Sequence, residues 1–208
     1  MAGRGFWIVF EGGDGVGKST QIDALLQSLR DDARALEVVT TREPGGTPLG
    51  VELRQAVMHG DHVAPRAEAL LYAADRAHHI ATLVRPALDR GAVVVQDRYL
   101  DSSIVYQGGA RGLGDMVEQI SLWATEGAVP DLTLVLDMEP RADRLERELD
   151  RVERETSEHA ARMREGFLAL AARAPERYAV IDAARPIADV AADVREAVSA
   201  AMAKAGAL

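Results

Sequence analysis

An apolar run, Phe6-Trp7-Ile8-Val9-Phe10, stops at Glu11 and gives way at once to Gly12-Gly13-Asp14-Gly15-Val16-Gly17-Lys18-Ser19, after which a helical pattern begins. The glycine segment fits G-x-x-x-x-G-K-[ST] in the context that gives the pattern meaning, a strand before it and a helix after it. The glycines let backbone N–H groups converge on phosphate oxygens at a helix N-terminus, Lys18 supplies a point charge, and Ser19 can hold Mg²⁺. Nucleoside triphosphate binding follows, but not a particular reaction. Val16 inside the loop means that the loop itself brings no Arg to a transferring phosphate.

The rest of the chain repeats the strand-then-helix rhythm. Short apolar runs suited to buried strands lie at Phe6 to Phe10, Val38 to Thr41, Val93 to Gln96, Leu132 to Asp137 and Val180 to Asp182. Helical patterns span Lys18 to Arg30, Leu49 to His59, Arg66 to Arg90, Met116 to Thr125, Val152 to Ala174 and Ile187 to Lys204. This alternation predicts an α/β fold, a five-stranded parallel sheet flanked by helices in three layers, whose ligands lie beyond the carboxyl ends of the strands. The 208 residues are expected to form a single domain.

Charge and composition remove several classes of function. Lys and Arg number 24 against 33 Asp and Glu, a net charge of −9, so the basic face of a nucleic-acid binder is not expected. There is no Cys, which excludes disulfides and thiol chemistry. His59, His62, His78, His79 and His159 form no metal-binding spacing and read as ordinary helix-surface residues. The absence of an N-K-x-D segment argues against a GTPase. No signal-like or membrane-spanning run is seen, so a cytoplasmic protein without membrane contact is expected.

Three further segments stand at strand ends or on the following helices: Thr41-Arg42-Glu43-Pro44-Gly45-Gly46-Thr47, Leu70-Leu71-Tyr72-Ala73-Ala74-Asp75-Arg76, and Asp97-Arg98-Tyr99-Leu100-Asp101-Ser102-Ser103 followed by Tyr106-Gln107-Gly108. Arg54 and Arg98 are two planar forks suited to one monoester phosphate, and Tyr72 and Arg76, four apart, share a helix face. Together with the glycine loop, and in matching order from about Phe6 to Asp182, these segments resemble the bacterial thymidylate kinase family of P-loop nucleoside monophosphate kinases. The resemblance implies phosphorylation of dTMP to dTDP with ATP and Mg²⁺, in dTTP biosynthesis, by a homodimer. It implies ATP contacts at Gly12, Gly13, Asp14, Gly15, Val16, Gly17, Lys18, Ser19 and Thr20, metal contacts at Ser19 and Asp97, and catalysis by Lys18 and Arg98. The dTMP site it implies comprises Asp14, Glu43, Pro44, Arg54, Tyr72, Arg76, Arg98, Ser103, Tyr106 and Gln107. Tyr72 stands where the family usually carries Phe.

A charge-mixed stretch, about 141–153, ends in Asp150-Arg151-Val152-Glu153. The resemblance makes it a short helical lid whose arginines complete the ATP site when the loop has none. It is about one helical turn shorter than the family pattern. Arg147 and Arg151, four apart, are expected to supply transition-state charge, and Arg144 to stack on the adenine. A deoxynucleoside kinase of the same fold and a non-catalytic ATP-binding switch are the alternatives. The first would need a carboxylate base rather than an Arg clamp on its acceptor.

Overall fold

The computed structural model describes residues 4–32, 36–139 and 151–206, of which 151–158 are described by backbone alone. Five strands, β1 (Phe6–Glu11), β2 (Val38–Arg42), β3 (Val93–Asp97), β4 (Leu132–Asp137) and β5 (Tyr178–Asp182), form one sheet in the order β2-β3-β1-β4-β5. Every pairing is parallel. β1 has the unbroken apolar run because it is buried on both faces at the centre of the sheet, as parallel strands covered by helices must be. The partly exposed β2 and β5 lie at the edges.

Period-two alternation divides the core into two layers. Phe6, Ile8 and Phe10 face one side, where Ile22, Leu25, Leu26 and Leu29 of α1 (Lys18–Arg30) and Val190, Val194, Val198 and Met202 of α8 (Ile187–Ala205) cover them. Trp7 and Val9 face the other side, against Ile80, Val84, Leu88 and Tyr99. α2 (Pro48–His59) and α3 (Pro65–His79) follow β2, and α6 (Met116–Ala124) packs on α3. α7 (Arg151–Arg173) inserts Phe167 and Leu170 beside Val135.

Two helical expectations are corrected. The run from Arg66 to Arg90 is not one α-helix: α3 passes into a π-helical turn at Ile80–Val84 before α4 (Arg85–Asp89) resumes. Pro86 stands just beyond the wider turn and removes one N–H donor from a helix that is otherwise continuous. A helix that the patterns did not mark follows β3, α5 (Leu100–Ser103), which continues as a seven-residue π-helical segment, Ile104–Ala110. Its β-branched Ile104 and Val105 and its Gly108-Gly109 pair are poor helix formers, so propensity concealed it.

The register sets the site. Phe10, Asp97 and Arg42 are paired in a row across β1, β3 and β2, so the three loops that follow these strands emerge side by side. Of the expected lid, residues 141–150, including Arg144 and Arg147, lie outside the described residues. Arg151 opens α7, with its side chain likewise outside.

Candidate active site

The glycine loop is built from backbone conformations that favour Gly. Gly12, Gly15 and Gly17 have φ of 134°, 75° and 96°, and a Cβ on Gly12 would stand 2.6 Å from the Leu136 carbonyl oxygen. Gly17 caps α1, so the loop runs directly into a helix N-terminus. Lys18 is buried, and its Nζ donates to the carbonyls of Gly12 at 3.0 Å and Gly13 at 2.7 Å. Burial, joined by the Arg98 guanidinium, lowers its pKa from 10.5 to about 8 against the pull of Asp97, Glu11 and Asp14.

Arg98 follows β3 with φ of +65°, a conformation uncommon for a side chain larger than Asn. Its surroundings over-determine that turn. The Arg98 N–H donates to Phe10 O at 2.9 Å, and Gln96 Nε2 donates to Arg98 O at 2.9 Å. The next N–H, of Tyr99, donates to Glu11 Oε1 at 2.8 Å. Glu11, fully buried where β1 ends, also accepts from the Ser102 N–H at 3.1 Å and from the Ser102 hydroxyl at 2.7 Å. The Arg98 fork thereby faces the glycine loop, donating to Gly12 O at 3.1 Å, Ser102 Oγ at 3.0 Å and Asp14 Oδ1 at 2.6 Å, with Tyr106 against it at 5.5 Å.

Burial raises the Glu11 carboxyl pKa. It lifts neighbouring Asp101 to about 7, with Glu11 adding to the effect, while the Tyr178 hydroxyl donates to Asp101 Oδ2 at 2.8 Å.

Beside the loop lies an open cavity, about 540 Å³ including the solvent-filled space at its mouth. Of the ten residues expected to hold dTMP, nine line it: Asp14, Glu43, Pro44, Tyr72, Arg76, Arg98, Ser103, Tyr106 and Gln107. Arg54 is not in that lining; its Nη1 donates to the carbonyl of Pro44, which is, at 3.3 Å. Arg76 is buried, and among the described residues four of its five N–H groups find acceptors. Nε donates to Glu43 at 2.8 Å, Nη1 to Ser121 at 2.8 Å, and Nη2 to Ser103 at 2.9 Å and Tyr99 O at 3.4 Å. Gln107 Nε2 donates to Glu68 at 2.9 Å. Tyr72 stands half-buried on the same face of α3 as Arg76.

Ser19 and Asp97 border a second cavity, between α1 and the ends of β2 and β3. Asp97 Oδ1 is buried and finds no hydrogen-bond partner among the described residues. One orphaned carboxylate oxygen and one hydroxyl fit Mg²⁺, which takes one or two protein oxygens and completes its shell with phosphates and water.

Residues of this region to which the sequence assigns no role include Glu11, Ser102, Asp75 and His79, with Met58 and Tyr99 also on the cavity wall. Glu11 had a signal, an acid at the exit of a strand apolar on both faces, yet it served only to end the run. Ser102 and Asp75 also line the cavity, inside segments that were already singled out. His79 corrects an expectation: it is not a helix-surface residue but fully buried, bonded to Glu43 and Thr41.

The family model described as thymidylate kinase matches residues 10–194. The thymidylate kinase of Clavibacter michiganensis subsp. michiganensis is 55% identical over 198 residues, which are 92% of this chain and 93% of that one. The thymidylate kinase of Leifsonia xyli subsp. xyli is 56% identical over 199 residues, with the same two shares. Among solved structures, thymidylate kinase from Ehrlichia chaffeensis superposes with a TM-score of 0.80 at 29% identity, covering 94% of this chain and 99% of that one.

Proposed function

The chain belongs to the thymidylate kinase family, and from that premise we propose that it transfers the γ-phosphoryl group of ATP to dTMP, giving ADP and dTDP for dTTP biosynthesis. The observation that supports the reading best is one shared wall. Asp14 of the glycine loop and Arg98 line the base-sized cavity while Arg98 bonds the loop itself, so an acceptor phosphate held by Arg98 meets the donor at the loop.

A dTMP phosphate oxygen attacks Pγ as the bond from Pγ to the bridging oxygen breaks and ADP leaves. The attacking oxygen is already anionic, so no general base is needed, and positioning with charge neutralisation carries the catalysis. Lys18 exchanges its two carbonyl acceptors for phosphate oxygens, and the glycine-loop N–H groups hold the β-phosphate. Arg98 exchanges Ser102 and Asp14 for the acceptor phosphate. Ser19 and Asp97 would hold Mg²⁺, which when bound neutralises charge on the β- and γ-phosphates. Arg76 keeps one N–H for thymine O4, Tyr72 stacks on the ring, Ser103 and Gln107 meet the base edge, and Tyr106 crowds the sugar 2′ position. Arg54, held at the Pro44 carbonyl, joins Arg98 on the acceptor phosphate.

The lid arginines complete the reading: Arg147 and Arg151 supply charge to the transferring group and Arg144 stacks on adenine, because Val16 leaves the loop without an Arg. The enzyme acts as a homodimer. Exposed Leu70 on α3, with Met116 and Trp123 on neighbouring α6, offers apolar surface for a second copy. No helix among the described residues is long and apolar enough to cross a membrane.

Coupled ADP release with dTMP present or omitted tests the reading. Strict dTMP dependence is the expected result. ADP release indifferent to dTMP would favour the ATP-binding switch, and dependence on thymidine in place of dTMP the deoxynucleoside kinase.

A further inference from the structure

Behind the base end of the cavity, a buried chain of hydrogen bonds runs from β2 to α3. His79 is wholly enclosed, its Nε2 lies 2.7 Å from the Thr41 hydroxyl, and its Nδ1 lies 3.0 Å from Glu43 Oε1. The other Glu43 oxygen accepts from Arg76 Nε at 2.8 Å. With the proton on Nδ1 every link is satisfied in one direction: the Thr41 hydroxyl donates to Nε2, Nδ1–H donates to Glu43, and Glu43 receives Arg76. The turn around this chain admits no side chain at Gly46, where a Cβ would stand 2.5 Å from Thr41 Oγ1 and 2.6 Å from His79 Nε2. Thr41, Glu43 and Gly46 of one segment thus converge on a single histidine from α3.

We propose that His79 is a positioning residue for base selection, which by clamping the second oxygen of Glu43 fixes the plane in which Arg76 meets the nucleobase. A carboxylate with one free oxygen can rotate about its terminal torsion, which is soft, and would carry the Arg76 Nε with it. Held at both oxygens it cannot. His79 and Thr41, which do not line the base cavity, thus add to the aim that Ser121, Ser103 and the Tyr99 carbonyl give the fork. The inference rests on the proposed dTMP specificity and extends it beyond the cavity wall.

The test compares His79→Ala, His79→Asn, Thr41→Val and the unaltered enzyme, measuring kcat/KM for dTMP, dUMP and dCMP and the KM for ATP. Asn keeps a donor near the Nδ1 position, whereas Ala and Val each remove one link. In His79→Ala the preference for dTMP over dCMP falls about tenfold, the worth of one unsatisfied buried polar group. The KM for ATP stays within about twofold, and Asn restores most of the preference. Thr41→Val gives a smaller fall in the same direction, and it decides the matter with His79→Asn if His79→Ala does not fold. An unchanged base preference in the folded variants, or equal losses toward ATP and dTMP that Asn does not rescue, overturns the proposal alone. An unaltered enzyme indifferent to the base overturns the functional reading, and this inference with it.

Discussion

Arg98 and Arg76 line the same cavity, but Arg98 rests on a main-chain turn with a largely exposed partner, whereas Arg76 is sealed among buried side chains. The Arg98 side chain is 18% exposed and Asp14 83%, against 4% for Arg76 and 3% for Glu43. In the proposed reading the phosphate end is thus built to exchange partners, since Arg98 and Lys18 hold carbonyls and a solvated carboxylate that a polyanion can displace. The base end is built not to move. A phosphate is caught by charge and tolerates adjustment, while a base is distinguished by the placement of individual donors and acceptors.

The contrast can be broken at either end. Arg76→Ala leaves the Glu43 carboxylate buried without the guanidinium, though still bonded to His79, and should cost about 3–5 kcal/mol of stability, visible as a melting temperature lowered by roughly 10 °C or more. Arg98→Ala and Lys18→Ala should instead leave melting within a few degrees while kcat falls by about 10²–10³, the cost of losing a preorganised charge-stabilising group. If Arg76→Ala melted normally, or Arg98→Ala unfolded, the division between a rigid and an exchangeable end would be wrong.

Two glycines sharpen the comparison on a smaller scale. Gly46→Ala drives a methyl group against Thr41, the Arg42 carbonyl and His79 and should cost about 1–3 kcal/mol. Gly15→Ala meets nothing within 4 Å and bears only the strain of φ +75°, about 1 kcal/mol. Chemical denaturation of the two variants gives the order directly, and a larger loss at Gly15 would contradict it.

The smallest effect is a proton. Lys18, lowered to about 8, is mostly neutral at pH 9, and phosphate oxygens beside it favour the charged form. Nucleotide binding at pH 9 should therefore take up most of one proton, and at pH 7 little. As pH rises above 8 the apparent affinity should weaken, by at most about tenfold per unit. Calorimetry in buffers of different ionisation enthalpy measures the uptake, which should vanish in Lys18→Ala.

How much of this could be read from the residues follows the same division. The phosphate end is contiguous, so Gly12 through Ser19 announced loop, lysine and helix together, and the strands whose register brings Asp97 and Arg42 beside Phe10 were visible as apolar runs. The base end draws Glu43, Arg76, Ser103 and Ser121 from four elements separated by 27 to 45 residues in their bonds to Arg76. No local pattern encodes that convergence, and only the resemblance to a family singled out most of its members. His79 escaped because a histidine beside His78 on an amphipathic helix looks solvated until the Thr41 turn is seen to close over it. The π-helical segment at Ile104–Ala110 escaped because its propensities oppose the structure that tertiary packing imposes.

The central claim is that the exchangeable end hands a phosphoryl group to an acceptor selected by the rigid end. ATP labelled at the γ-phosphate, incubated with the unaltered enzyme, Mg²⁺ and an equimolar mixture of dTMP and dCMP, tests it most directly. Label is expected in dTDP, with little in dCDP and little in free phosphate. Label shared equally between the two diphosphates, or released only as inorganic phosphate, would contradict it.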